Sequence, residues 1–572
     1  MIGKVDPQKA LFSTETLYVE KLKLDSFHRF LYEHRHEIFR DEDYEFLYCV
    51  DNGRTSVPPS ILAIACVLQT YHKTSDRETV ERATYDVRWS VALGTELGER
   101  PFAKTTLQEF RAKLILNEQA QMIFKRSLSY ARQKGYLKNK KMRVAMDTTY
   151  ILGKGAVKDT YNLLADGIKK LYQSLKRHGY SGVVEKFKQL FQRYFGKSFK
   201  GEVEIDWDDE KARQQLLTSL AQDAKALLQY AEKALKQTDD EKKREAIRRD
   251  AALLSSLLLQ DLETTDEGEC QIKQGVAQDR ILSVSDPEMR HGRKSSQHRF
   301  DGHKAAVATD TESNLITAVD VIAGNAHDSE AAVALVEATE KNTGNRVETA
   351  IGDSAFGTAA VREQFEDSET KLVAKVPKAP KRSHFTKYDF HIDLEQDQVT
   401  CPAGHTTTTY RWVKVKFGKE PTKRLTKEFI FDETLCQTCP LRDRCINSDT
   451  RRHKTIRLHP REDLLQKARA DAQTETFKTQ YRQRVVVEHS IARLVQRGIR
   501  KSRYFGRERT LWQLAMAAAV VNFMHIAGKM REERENVSLA LSRIRFAVAE
   551  FVKNMAVTVA FIRSAQLLPA SA

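Results

Sequence analysis

Apolar positions along this chain change period several times, and those changes divide it. Residues 1 to 135 read as helical. Pro58-Pro59 opens an apolar helix from Ile61 to Tyr71, and Ser75-x-x-Glu78 then has the spacing of a capping box for the next one. Thr106-x-x-Glu109 offers a further helix start. Helices at this spacing suit a helix-turn-helix-like DNA-binding module, and equally a helical dimerisation or packing domain. From about 142 to 150 the pattern becomes that of a strand, and strands are expected again at about 300–309, 315–322 and 371–376. Asp328 has the position of an N-cap for a helix to about Lys341, and another strand then ends in Ala350-Ile351-Gly352-Asp353. The long charged stretch from about 158 to 280 has no Gly or Pro from Glu204 through Thr265, a composition that favours helix and fits a solvated hairpin.

The expected architecture is therefore α/β: a mixed sheet with flanking helices, interrupted twice, behind an all-helical N-terminal domain. The boundaries are 1–135 for that domain, and 136–157, 284–380 and 459–530 for the core. A helical insertion takes 158–283, a cysteine-containing insertion 381–458, and C-terminal helices 531–572.

Charge adds a partner. Across 572 residues, Lys and Arg number 94 against 78 Asp and Glu, a formal net charge of +16. Cations that neutralise phosphates release counterions, so a polyanion is the natural partner. A chain that is merely basic is the plainer alternative. Met1-Ile2-Gly3-Lys4-Val5-Asp6 is followed by no apolar h-region. The most apolar window, Leu514 to Ala527, is broken by Asn522 and His525 and reads as a buried helix, so no membrane partner is expected. The expected compartment is the cytoplasm, where thiols stay reduced, so the cysteines need a reason other than disulfides.

Four of the seven have one. Cys401 and His405 precede Cys436-x-x-Cys439 and then Cys445, a spacing that suits a structural tetrahedral zinc. Cys401, Cys436, Cys439 and Cys445 are the preferred ligands, with His405 able to replace one. The alternative is a group of reduced, partly buried thiols. Nearby, strand alternation over Trp412-Val413-Lys414-Val415-Lys416-Phe417 puts Trp412, Lys414 and Lys416 on one face. That face suits DNA contact or plain solvation.

Three carboxylates carry the chemistry. Asp147 closes the apolar run Val144-Ala145-Met146, and Asp353 closes its own run. Glu488 lies in Tyr481-x-x-Arg484-x-x-x-Glu488, where i, i+3 and i+7 share one helix face. Two strand-end aspartates and one helical glutamate can converge on two Mg²⁺ ions, or Mn²⁺ in their place. Such hard cations prefer carboxylate oxygens, and a metal pair suits phosphodiester chemistry. Tyr481 and Arg484 are candidate DNA contacts, although Arg484 could instead pair with a carboxylate and orient it. Downstream, Arg493, Arg497, Arg500, Lys501 and Arg503 form a dense basic run suited to phosphate contact. A continuing helix would group Arg497, Arg500 and Arg503 on one face, but Gly498 weighs against it. No Walker-type phosphate loop is present, so no nucleotide cofactor is expected.

The flanks of these residues carry a family likeness. Met146-Asp147-Thr148-Thr149, Gly352-Asp353-Ser354-Ala355-Phe356-Gly357 and Tyr481-x-x-Arg484-x-x-x-Glu488-His489 resemble the motifs of the DDE transposases of bacterial insertion sequences. Ser285-Asp286-Pro287-Glu288-Met289-Arg290-His291-Gly292 and Arg299-Phe300-Asp301-Gly302-His303-Lys304 are similar to stretches of that group, and the likeness covers roughly residues 30 to 530. It implies an RNase H-like core and metal-dependent cleavage at transposon ends with strand transfer into target DNA. It further implies double-stranded DNA partners, namely terminal inverted repeats and target. A dimer or higher multimer is implied too, with the protein on the nucleoid when bound. A metal-dependent nuclease without joining activity, or a non-catalytic DNA-binding derivative, would carry much of the same pattern.

Overall fold

The computed structural model describes the chain except for residues 6–11, 50–52, 139–140, 179, 181, 183–186, 188–191, 197, 266–267, 296, 367, 379–383, 417–422, 447–449 and 566–572, and the side chains of 559–565. Phe417 therefore lies outside the described residues. The chain forms two compact units, Met1–Lys138 with Ala515–Ala572, and Asn139–Leu514.

The first unit is helical throughout its described residues. Pro59–His72 starts with proline in its first turn, where the missing N–H costs nothing, and buries every side chain from Ile61 to Leu68. Ser75 caps Asp76–Tyr85 through Oγ, which accepts from the Glu78 N–H at 3.2 Å. The Glu78 carboxylate pairs instead with Arg82, so the expected capping box is only half made. Thr106 lies inside Lys104–Leu116 rather than starting it, since Ala103 is the N-cap. The helix Arg507–Ala565 supplies the rest of the core from residue 515 onward. Ala515 to Val521, Phe523 and Ile526 are buried, Phe523 packs against Phe30 and Phe39, and Asn522 Nδ2 donates to Ser127 Oγ at 3.1 Å. The segment from 531 continues this helix rather than beginning new ones. By length and composition alone the helix could cross a membrane, yet its most apolar window is 67% buried inside the protein.

The second unit is mixed α/β. Its main sheet runs in the order Ile316–Ala323, Arg299–Asp310, Met142–Leu152, Val347–Ile351, Lys371–Val373. The first three strands are antiparallel neighbours, and the last two run parallel to Met142–Leu152. Arg290–Arg293 lengthens the edge beside Arg299–Asp310. Gly302, at φ +153°, lies where this edge meets the central strand. A Cβ there would stand 2.1 Å from the Ile151 carbonyl oxygen, so only glycine lets the strands close. The residues between Ile316–Ala323 and Val347–Ile351 form the helix Ala332–Thr343, preceded by a short 3-10 turn. The cap of that turn is His327, boxed with Glu330, and not Asp328 as the sequence suggested. Asp328 instead accepts from Lys304 Nζ at 2.8 Å.

The stretch between the first two core strands holds the helices Thr160–Arg177, Glu210–Gln237 and Glu241–Asp261. They share their own core, including Leu164, Ile168, Leu171, Leu220, Leu227 and Leu254, so this stretch packs rather than standing as a solvated hairpin. Between the sheet and the Glu488 helix, two small three-stranded sheets enclose a further cluster around Val399, Phe429 and Ile456.

Candidate active site

Strand register brings the two aspartates together. Met142–Leu152 and Val347–Ile351 pair in parallel with Ala145 opposite Ile351. Two residues beyond this pair lie Asp147 and Asp353. Asp147 sits in mid-strand, opposite Val307, rather than at a strand end as its apolar run implied. Asp353 does leave its strand: it caps a 3-10 turn, Ser354–Gly357, and its Oδ1 accepts from the Ala355 N–H at 2.8 Å. Gly352 makes this exit possible, because a Cβ there would stand 2.7 Å from the Phe356 side chain. Asp147 Oδ1 likewise accepts from the Thr148 N–H at 2.7 Å. Each carboxylate thus commits one oxygen to the backbone and leaves the other for a different partner.

The charge at Asp147 is costly. Burial pushes its carboxyl up to about 6, the negative charges of Asp353 and Asp328 push the same way, and Arg484 opposes them. Two carboxylates so placed call for a cation, and the cation present is Arg484. Its guanidinium pairs with Glu488 and stands 3.6 Å from Asp147 Oδ2. Glu488 is exposed, and Arg484 links it to Asp147. The helical signature is not one continuous helix: Glu475–Arg482 ends before Val485–Gln496 begins, with Arg484 as the second helix's N-cap. Tyr481 stacks on Phe477 at 5.6 Å and packs against Ile351 and Val373, which ties the signature to the strand that carries Asp353. Burial also raises the Tyr481 hydroxyl, helped by Asp353 and Glu488.

Two groups at this site carried no functional signal in the sequence. Lys375, just past the last strand, holds Nζ 4.7 Å over the Tyr481 ring. Asp328 adds a further negative charge near Asp147, and its signal was read as a helix cap.

The basic run divides. Val485–Gln496 stops at Arg497, and Gly498, at φ +92°, turns the chain, so Arg497, Arg500 and Arg503 share no helix face. Residues 500–502 instead run beside Leu152: the Leu152 N–H donates to Arg500 O, and the Ser502 N–H to Leu152 O. Arg500 is thereby half-buried and engages this strand through Nη1. It donates to Thr149 Oγ1 at 3.0 Å and Tyr150 O at 2.8 Å, and lies 3.9 Å over the Tyr150 ring. Arg493, Lys501 and Arg503 are exposed, and Arg497 is half-buried. In the cysteine-containing stretch, Trp412 and Lys414 are exposed on Tyr410–Val415, with Val413 and Val415 half-buried, and Lys416 is exposed just past its end.

The four cysteines are all free thiols. Cys401, Cys436 and Cys445 pack on the same small apolar cluster, and burial raises the Cys445 thiol, reinforced by Cys436, Cys401 and Cys439. His405 closes the turn on Cys401 through its carbonyl, which accepts from the Cys401 N–H at 2.8 Å. Among the described residues, no three His, Cys, Asp or Glu side chains stand in an arrangement that would already hold a metal ion, here or at the carboxylates.

Two family models match the chain: a transposase DDE domain over residues 400–527, and a transposase domain (DUF772) over residues 20–113. The first spans the cysteines, Tyr481, Arg484 and Glu488 but stops short of Asp147 and Asp353. No curated protein and no solved structure matches.

Proposed function

Taking the two matches as support for an insertion-sequence DDE transposase, with DNA as its substrate, we propose that Asp147, Asp353 and Glu488 form the site that cuts transposon ends and joins them to target DNA. The observation that carries this reading is the parallel register that leads Asp353 up beside a largely buried Asp147 whose carboxyl is pushed up to about 6. The sheet order supports an RNase H-like core: three antiparallel strands, a helical crossover, and two strands parallel to the first.

The donor set fits hard divalent cations, since it is all carboxylate oxygen and each aspartate has one oxygen free of the backbone. Magnesium or manganese held there would stabilise the attacking and leaving oxygens of a phosphodiester displacement. The protein's own groups do the rest. Thr148 and Ala355 fix the aspartates through their N–H groups. Arg484 neutralises Glu488 while the site is without substrate. A phosphate oxygen offers that guanidinium a stronger bidentate partner, and its departure frees Glu488 to act as a ligand. Lys375 supplies a second cation beside Tyr481. In the first step a water oxygen attacks phosphorus and the P–O3′ bond breaks, leaving a 3′-hydroxyl. In the second that hydroxyl oxygen attacks a target phosphorus, the target's own P–O3′ bond breaks, and the target strand is left with a free 3′-hydroxyl.

The test is a duplex that carries the element's terminal repeats, incubated with the protein and Mg²⁺ and then with target DNA. Nicked ends and joined products are expected from the parent, and neither from Glu488→Gln. Cleavage without joining would leave a hydrolytic nuclease, and no cleavage by the parent would leave a DNA-binding protein.

A further inference from the structure

The C-terminal helix of the first unit carries apolar side chains far past the point where the unit covers them. Met516, Val520 and Phe523 are buried, but Val537, Leu541, Ile544, Val548, Phe551 and Met555 are each 52–65% exposed. These six alternate four and three residues apart. The same alternation runs back through Met530, Ala527 and Phe523 to Met516, with Arg534 as the one charged residue on it. A mean period of 3.5 residues places a stripe of this kind along the seam of a left-handed coiled coil, where each side chain fits between four of a facing helix.

Beyond Arg534 the stripe is clear of charge. Among the positions on it and flanking it between Val537 and Met555, Arg545 is the one charged residue, while Arg543, Glu550 and Lys553 lie on the outer side. Paired with its own copy in parallel and in register, the seam therefore sets Arg545 against Ala540 and brings no like charges together. Leu539 and Phe546 fall on the outer side and take no part. Beside the start of the stripe the unit leaves an open groove of about 690 Å³, lined by His34, Lys134, Tyr136, Met530, Val537 and Leu541, which gives an incoming helix a place to begin.

We propose that this helix pairs with the same helix of a second copy of the chain, as a two-stranded coiled coil over Val537–Met555. The contact would run for about 28 Å at about 1.5 Å per residue. Each stripe residue has roughly 60–120 Å² of apolar surface to bury, so twelve of them hide roughly 700–1,400 Å². With the flanking atoms that reaches the range of stable interfaces, about 1,200–2,000 Å². The pairing is independent of the carboxylate site, so its failure and that of the proposed activity can be told apart.

Sedimentation of the full chain without DNA tests it. The parent is expected at twice the chain mass of 65.5 kDa, and Leu541→Glu with Val548→Glu at one chain mass. Lys553→Glu, on the outer side, should stay dimeric. Because the substituted residues are exposed in the single copy, the near-ultraviolet circular dichroism of the packed units should match the parent, while the melting transition should lose its dependence on protein concentration, so loss of the dimer can be told from misfolding. A monomeric parent at tens of micromolar would overturn the proposal. So would a dimer that survives the double substitution, or a parent that floats with phosphatidylcholine–phosphatidylglycerol vesicles as a monomer.

Discussion

Asp147→Asn should make the metal-free protein more stable, and the size of the gain follows from the burial that sets up the site. The Asp147 carboxyl rises from 3.8 in a free chain to about 6 in the folded one. Below about pH 4 both states keep the proton and the side chain costs nothing. Between about pH 4 and 6 the unfolded chain releases its proton while the folded chain retains it, so stability is lost progressively as pH rises through that window. Above it the full penalty stands, about 3 kcal/mol for a shift of about two units at about 1.4 kcal/mol each. Asparagine has nearly the same shape and never ionises. In the presence of a chelator the variant should gain about 3 kcal/mol at pH 8 and roughly half of that at pH 5. Urea denaturation followed by tryptophan fluorescence reads the relevant unit, because Trp207, Trp412 and Trp512 lie in it and only Trp89 lies in the other. Magnesium should then stabilise the parent and not the variant. A variant no more stable than the parent at pH 8, or a gap that does not shrink on acidification, would refute the argument.

Other outcomes follow from the same geometry. Asp353→Asn and Glu488→Gln should each lower cleavage at least about a thousandfold while leaving binding of terminal-repeat DNA within about twofold, because each removes a ligand charge with little change of shape. Lys501→Ala with Arg503→Ala should flatten the salt dependence of DNA binding by about two phosphate contacts; identical slopes in binding titrations would remove both from the interface. Arg500→Ala should change that slope less than the Lys501 and Arg503 pair does and instead cost about 1 kcal/mol in denaturant, since it strips the part-buried Thr149 hydroxyl and Tyr150 carbonyl of a donor. Purified protein should carry about one zinc per chain, lost on joint Cys436→Ser and Cys439→Ser substitution; elemental analysis finding none would reject the thiol site.

Much of this site could be read in the chain, and the unread part has a common cause. Asp147 and Asp353 were found because apolar runs lead into them. Their adjacency depends on a register between strands some 200 residues apart, which no local pattern encodes. Gly498 was legible as a helix break, since glycine is costly there and favoured at φ above zero. The inward turn of Arg500 was not, because its partners, Thr149 and Tyr150, are distant in sequence. Asp328 was misread by a related route: a carboxylate before a helix suggests a cap, yet Lys304, on a distant strand, outcompetes the backbone for it. The cysteine spacing was plain, whereas the approach of three thiols to one apolar cluster arises only from the folding of two small sheets.

The split of the first unit across both ends of the chain has a consequence for synthesis. Its helices up to Lys138 emerge from the ribosome first, but the part of the long helix that completes their core begins at Ala515. At about 5–20 residues per second, roughly 20–75 seconds of translation separate the two. During that interval Phe30, Phe39 and Ser127 lack the partners that Phe523 and Asn522 later provide. The intervening unit can finish folding on its own before the unit that precedes it. A copy of the gene with a stop codon shortly before residue 515 would therefore encode the whole N-terminal segment and still leave it without a closed core. Damage at the far end of the reading frame would silence the module at its start.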